Sequence, residues 1–165
     1  EAGITKGAFY VHFASKDELI ALLIADSVAQ ADGDYLAFAR GLPDNLPCGA
    51  ALLALADKIA DTLCGTLGQD SMKKVYGLLL TAAQGAQAVR GYGRALYTLV
   101  YELLEKGEKR GEIISHLPLD ALSRHLVMAM RGVAFEWCVQ YPAFDLKVQT
   151  QEHLQIILNR ISTRG

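Results

Sequence analysis

The chain has 165 residues, of which 52% are hydrophobic and 21% are charged, and its formal net charge is −2. This composition is typical of a soluble globular protein, and no apolar run approaches the ~18 residues of a membrane-spanning helix. The near-neutral charge counts mildly against nucleic-acid binding by this chain alone. Its three cysteines, Cys48, Cys64 and Cys138, have no metal-ligand spacing. They favour a reduced, cytoplasmic protein with no metal site, and the lack of a long apolar run predicts no membrane partner.

The first residues predict a tight turn between two helices. Gly3 suits the end of a preceding helix, because glycine adopts positive φ without steric cost. Thr5 can cap a new short helix, with Ile4 and Phe9 in the positions of a hydrophobic staple. The capping box Ser15–Glu18 then begins a longer helix. This order is how a helix-turn-helix presents its recognition helix to DNA, although an ordinary pair of capped helices fits the same spacing.

The rest of the chain predicts an all-α fold of about seven or eight helices. Apolar residues recur at helical spacing, glycine and proline interrupt them, and no alternating strand pattern occurs. Helices are predicted from Ser15 through Val28, with few breakers before Gly33, over about Gly49–Leu67, and from Asp70 onward. Further helices are predicted from Leu96 to an end in Glu105–Gly111, from Pro118 past Trp137, and across Leu154–Ile161, with a loop at Gly41–Pro47.

The last two helices are apolar on more than one side. One face of each closes the core, and the other is predicted to meet the same pair in a second subunit as a four-helix interface. The alternative is one deep core helix and one surface helix. The predicted dimer-interface residues are Leu126, Met130, Val133, Leu154, Ile157, Leu158 and Ile161.

Catalytic signatures are absent from the sequence. The histidines are scattered, and Asp57 and Asp61 lie one helical turn apart without a third group. The glycines near Arg90–Arg94 lack the preceding strand of a nucleotide-binding fold. The sequence therefore predicts neither an enzyme nor a cofactor.

The run from Ala2 to Leu19, AGITKGAFYVHFASKDEL, resembles the DNA-reading end of TetR-family transcriptional regulators. In that family an alanine-glycine turn, a capping residue, a basic residue and an aromatic-tyrosine pair follow one another in this order. The family places one helix and most of another before this point, and neither is present here. The resemblance implies that residues 1–20 are the last part of a helix-turn-helix domain. Residues 21–165 would then form a helical ligand-binding and dimerisation domain.

The same resemblance assigns the contacts with DNA. Lysine and tyrosine side chains donate hydrogen bonds to phosphate, and glycine allows the backbone to approach closely. The implied DNA-binding residues are Thr5, Lys6, Gly7, Tyr10, His12 and Lys16.

A second, shorter stretch, Gly132–Leu146, is similar to the tail of the efflux-repressor (AcrR-like) members of the family. A glycine, a tryptophan near a helix end, a proline and a Phe-Asp-Leu run recur there. This similarity suggests the subclass without establishing it.

A cavity for a small molecule is the family's feature in the helices that follow the DNA-reading part. Aromatic and methionine side chains line adaptable apolar pockets as a group, although plain core packing is the commoner explanation for any one of them. Met130, Phe135 and Arg131 are further candidates, Arg131 alternatively as an interface ion pair. The residues assigned to ligand binding are Tyr76, Tyr97, Tyr101, His125, Met128 and Trp137.

The resemblance implies a homodimeric repressor that binds operator double-stranded DNA and is released by a small apolar or aromatic inducer. A ligand that favours a splayed dimer shifts the population away from the DNA-competent arrangement. The alternative is a helical small-molecule-binding protein with no DNA role.

Overall fold

The computed structural model describes residues 16–80, 94–140 and 144–162. These residues form six α-helices, and a π-helical segment, Thr62–Leu67, continues the second of them. The helices are α1 (Lys16–Arg40), α2 (Cys48–Asp61), α3 (Gln69–Leu80), α4 (Ala95–Lys109), α5 (Leu119–Gln140) and α6 (Leu146–Ile161).

The predicted all-α class is confirmed. Within the described ranges the one β feature is an isolated antiparallel bridge between Ile113 and Ser162. There the Ile114 amide donates to the Ile161 carbonyl at 2.6 Å and ties the loop after α4 to the end of α6. The short helix predicted after Thr5 lies outside the described residues. Among the helices that are described, none combines the length and apolar character needed to cross a membrane.

Helix α1 is longer than predicted, because it continues through Gly33 to Arg40. A mid-helix glycine costs only about 1 kcal/mol relative to alanine, which tertiary packing can offset. The neighbouring Tyr35 is 3% exposed and joins the main core. The packing of α1 against α2 and α4 therefore holds the helix together beyond Gly33.

The segment predicted as one helix over Gly49–Leu67 has two geometries. The α-helix ends at Asp61, and the wider π turn follows from Thr62, whose hydroxyl donates to the Lys58 carbonyl at 2.9 Å. Gly68 then adopts φ 73°, and its amide donates to the Leu63 carbonyl at 3.0 Å. This left-handed residue turns the chain into α3.

The predicted end of α4 is confirmed at Gly111, which adopts φ 72°. The Glu112 amide donates back to the Gly107 carbonyl at 2.9 Å, as in a glycine-terminated helix. This turn brings the Glu112 carboxylate to the start of α2, where it accepts from the Cys48 amide at 2.5 Å. A distant side chain thus satisfies one of the free amides at a helix start.

Helix α4 lies at the centre of the packing, because it contacts α1, α2 and α5. Its Val100 and Leu104 are fully buried. Helix α6 packs on α2 and α5, and α3 packs on α5. A second apolar cluster surrounds Trp137 and Met72, where α3 meets α5. The main cluster fills the space between α4 and the helices around it.

Candidate ligand-binding cavity

A cavity of about 490 Å³ lies between α1, the end of α2, α3, α4 and α5. Its volume falls in the range of roughly 300–1,000 Å³ that is typical of small-molecule sites. Most of the lining is aliphatic, and the polar groups are few. The lining residues are Ile20, Leu23, Ile24, Ser27, Val28, Ala31, Tyr35, Ile59, Leu63, Leu67, Ser71, Met72, Lys74, Val75, Tyr76, Leu79, Arg94, Leu96, Val127, Met130, Arg131 and Ala134.

One face of α1 forms a wall of this cavity. Ile20, Leu23, Ile24, Ser27 and Val28 recur at spacings of three and four residues, which places them on one side of the helix. Leu23 is 57% exposed although it lines the cavity, so the cavity meets solvent near the start of α1. The wall is therefore built from the helix that follows directly on residues 1–15.

Tyr76 connects the cavity to α5. Its phenol donates to the Arg131 carbonyl at 3.2 Å, and its ring meets the edge of Phe135 with centroids 5.3 Å apart. Burial, opposed by the nearby Arg131 charge, raises the pKa of Tyr76 to about 12. The phenol therefore stays protonated, and acts as a donor, at any physiological pH.

Arg131 projects from α5 into the cavity and reaches α4. Its Nη1 donates to the Tyr97 hydroxyl at 3.2 Å. Because Tyr76 also holds the Arg131 carbonyl, α3, α4 and α5 are joined at this one residue. The guanidinium is half-buried and lies against a neutral acceptor.

Arg94 is the second guanidinium in the lining, and it is already paired. Its Nε and Nη2 donate to the two carboxylate oxygens of Asp32 at 3.2 and 2.5 Å. Both side chains are largely buried, with 13% and 7% of their surface exposed. This pair closes the side of the cavity where α1 meets the start of α4.

Of the six residues assigned to ligand binding, Tyr76 lines the cavity and the other five do not, whereas the further candidates Met130 and Arg131 also line it. Tyr97 is buried behind the lining and contacts Arg131. Trp137 packs in the second apolar cluster, His125 and Met128 lie on the exposed face of α5, and Tyr101 is outside the lining. The ligand-binding assignments stay predictions, because helical spacing alone did not show which side of α4 or α5 faces the cavity.

The α1 wall and Arg94 were absent from the predicted site. The sequence did contain a pattern for the α1 wall, because Ile20, Leu23, Ile24 and Val28 form an apolar stripe along a predicted helix. A stripe of this kind is equally typical of ordinary core packing. Only the tertiary structure shows that these residues face a cavity.

Most residues predicted at the dimer interface are buried within the protomer. The exposed face of α5 carries other apolar residues: Met128, Phe135 and Val139 are 49%, 38% and 64% exposed. On α6, Val148 and Ile156 are 52% and 67% exposed. The predicted interface residues thus lie mainly on the core side of α5 and α6, and their assignment to a dimer interface stays a prediction. Leu126, Met130, Val133, Leu154 and Leu158 are buried, and Ile157 and Ile161 are half-buried against the same core.

The predicted DNA contacts lie at or before the start of the described residues. Thr5, Lys6, Gly7, Tyr10 and His12 fall outside them. Lys16 is the first residue of α1, and its side chain is also outside the description. These assignments stay predictions.

The cysteines lie apart from the cavity lining. Cys48 and Cys138 are buried, and Cys64 is exposed. Burial, with the Glu112 carboxylate as a second cause, raises the pKa of Cys48 to about 11. In the described part of the chain, no group of three or more histidine, cysteine or acidic side chains is arranged to hold a metal ion.

Comparisons with known proteins agree with this architecture. The model of the tetR family of bacterial regulatory proteins matches residues 1–23. The HTH-type transcriptional regulator AcrR of Shigella flexneri is 25% identical over 167 residues, which cover 95% of this chain and 74% of that protein. No solved structure matches the chain. The family match at the start and the similarity along nearly the whole all-α chain together make this chain similar to the tetR family of bacterial regulatory proteins.

Proposed function

We propose that the protein is a DNA-binding transcriptional repressor that leaves its operator when a small molecule enters the α1–α5 cavity. The similarity to the tetR family and to the HTH-type transcriptional regulator AcrR supports the DNA-binding regulatory role. Repression and the response to ligand are the further steps of the proposal, and no catalytic step is part of it. The similarity to AcrR supports the efflux-repressor subclass as part of the same proposal.

The α1 wall is the observation that carries the ligand response. Residues 1–23 match the tetR family model, the run Ala2–Leu19 resembles the family's DNA-reading end, and the cavity lining begins at Ile20. A molecule that pushes on Leu23, Ile24 or Val28 acts on the same rigid helix that follows the DNA-reading segment. Ligand binding and DNA binding then bias one element, which is the physical requirement for coupling between two sites.

The DNA contacts in this proposal are Thr5, Lys6, Gly7, Tyr10 and His12, together with Lys16 at the start of α1. A dimer would place two such segments in successive major grooves, with half-sites about 34 Å apart. Each lysine that contacts phosphate contributes to affinity without distinguishing sequences.

The dimer surface that we propose is the exposed face of α5, with neighbouring residues of α6. His125, Met128, Gly132, Phe135 and Val139 follow one another at spacings of 3, 4, 3 and 4 residues on that face. This repeat is typical of helices that pack side by side. Phe135 also touches Tyr76, so the proposed interface and the cavity share a contact.

The proposal is tested with the intact protein and the DNA upstream of its own gene. Fluorescence anisotropy should show retention of this DNA and not of an unrelated fragment of equal length. Decanoate, decan-1-ol and decyltrimethylammonium are then added separately, below the concentrations at which they form micelles. At least one of them should release the DNA.

Two tryptophan variants of α1 identify the site of release. Ser27→Trp fills the cavity and should abolish release while DNA binding is retained. Gln30→Trp places the same bulk on the exposed side of α1 and should behave as wild type. Release that persists in Ser27→Trp would show that the inducer acts elsewhere. Binding of the probes without any DNA retention would favour a small-molecule-binding protein with no DNA role.

A Lys16→Ala variant tests the DNA-reading end. It should weaken binding to every DNA sequence, and the slope of log affinity against log salt should fall by about 1. An unchanged salt slope would remove Lys16 from the DNA contacts.

A further inference from the structure

Among the described residues, the charges that line the cavity are all of one sign. The ionisable side chains in this described lining, apart from the tyrosines, are Lys74, Arg94 and Arg131, and it contains no aspartate or glutamate. The groups differ in how far each is already neutralised, and this difference points to the kind of ligand that fits.

Arg94 is neutralised within the protein. Asp32 accepts from its Nε and Nη2, and both partners are largely buried. A buried bidentate pair of this kind leaves little charge for a ligand. Lys74 is exposed, and its charge is mainly screened by water.

Arg131 is different, because its partner is the neutral Tyr97 hydroxyl. A guanidinium has five N–H donors in a planar fork, and the contact with Tyr97 uses one of them. In the part of the chain that the structure describes, no carboxylate lies within ion-pair distance of Arg131. Its charge is therefore half-buried without an ionic partner.

The residues outside the description add little negative charge. Residues 81–93, between α3 and α4, contain Arg90 and no acidic residue. The acidic side chains that the structure does not describe are those of Glu1 and Asp17. Among the described residues of the central helices, Arg131 is thus a positive charge that no carboxylate neutralises.

We infer that the cavity takes an amphiphile with an apolar body and a carboxylate, and that Arg131 binds the carboxylate. The aliphatic walls accept the apolar body, and the fork of Arg131 matches a carboxylate in a bidentate manner. A cationic ligand would meet Arg131 without any compensating carboxylate. This inference names the ligand class of the proposed inducer site and rests on that proposed function.

The test compares three probes with the same decyl chain and different head groups. Isothermal titration calorimetry with the intact protein should show decanoate binding at least about tenfold more tightly than decan-1-ol, since a charge-assisted hydrogen bond contributes about that factor. Decyltrimethylammonium should bind more weakly than the alcohol.

Three variants assign this preference to Arg131. Arg131→Gln should bring decanoate to within about threefold of decan-1-ol, because a loss of roughly 1.4 kcal/mol removes a tenfold preference. Its circular dichroism spectrum should match that of wild type, which shows that the variant is folded. Arg131→Lys should keep the preference, because it keeps the charge. Arg124→Gln, on the same helix and outside the lining, is the matched control and should equal wild type.

The outcomes separate this inference from the proposed function. Tighter binding of the alcohol or the cation, together with DNA release, would retain the ligand-responsive repressor and overturn the carboxylate inference. A decanoate preference that survives in Arg131→Gln would overturn the role of Arg131. Failure of all three probes to bind would overturn both the inference and the cavity as the inducer site.

Discussion

Arg94 and Asp32 form a bidentate ion pair across 62 residues of sequence. Arg94 immediately precedes α4, and Asp32 lies in the middle of α1. The pair fixes the start of the central helix against the helix that forms the cavity wall. Tyr35 lies one turn further along α1, and its pKa is raised mainly by burial. The Arg94 charge lowers this pKa and the Asp32 charge raises it.

Removal of one partner of this pair should be costly. Asp32→Asn leaves the Arg94 charge buried without its counterion, and we expect a loss of about 3–5 kcal/mol in the free energy of unfolding. Urea denaturation measures this change. Asp120→Asn is the matched control, because it breaks the exposed Asp120–Arg124 pair and should have a far smaller effect. Equal effects of the two variants would show that the buried pair does not hold α1 against α4.

Gly107 provides a second test of the packing, because it lies against the start of α2. A methyl group added there would lie 2.5 Å from Cβ and 2.7 Å from Sγ of Cys48. Gly107→Ala should therefore lower stability by about 1–3 kcal/mol, despite the higher helix propensity of alanine. Gly33→Ala has open space around it and should raise stability by about 0.5–1 kcal/mol. Thermal denaturation that shows the same sign for both variants would contradict the close contact.

The Cys48 thiol should make stability depend on alkaline pH. Its pKa is raised from 9.0 to about 11, mainly by burial, so the unfolded chain loses this proton at lower pH than the native protein. The contribution is complete below pH 9 and is lost as the pH rises through 11. Urea denaturation between pH 8 and 11 should show a shallower decline for Cys48→Ser than for wild type. Cys64→Ser is the comparison, because burial raises the pKa of this exposed thiol less than that of Cys48, and a decline as shallow as that of Cys48→Ser would contradict the larger effect at Cys48.

Charge on the exposed face of α5 should separate the proposed dimer. Met128→Glu combined with Val139→Glu should give a monomer by light scattering, with an unchanged circular dichroism spectrum. Leu117→Glu adds a charge at another exposed apolar residue and should leave the dimer intact.

A different result is expected at Trp137, which is 7% exposed and packs in the second cluster. Trp137→Glu should unfold the chain, because it buries an unpaired charge.

If the double variant Met128→Glu and Val139→Glu remained dimeric, the dimer interface would not be the exposed face of α5.

The sequence by itself determined the helical class and several helix ends. The all-α class followed from the spacing of apolar residues, and the end of α4 followed from Gly111, because glycine readily adopts the left-handed conformation found there. The start of α5 after Pro118 was equally visible. These features depend on neighbours within a few residues, so the order of residues alone specifies them.

The direction in which each apolar face points was decided by the tertiary structure. Leu126 and Met130 form one stripe of α5, and Met128, Phe135 and Val139 form another. Both stripes have helical spacing, and only the packing of α4 and α6 shows that the first is core and the second is exposed. Likewise, no local pattern pairs Asp32 with Arg94 or turns Arg131 toward a cavity. Such contacts depend on how separate helices pack, and helical periodicity carries no information about the partner that covers a face.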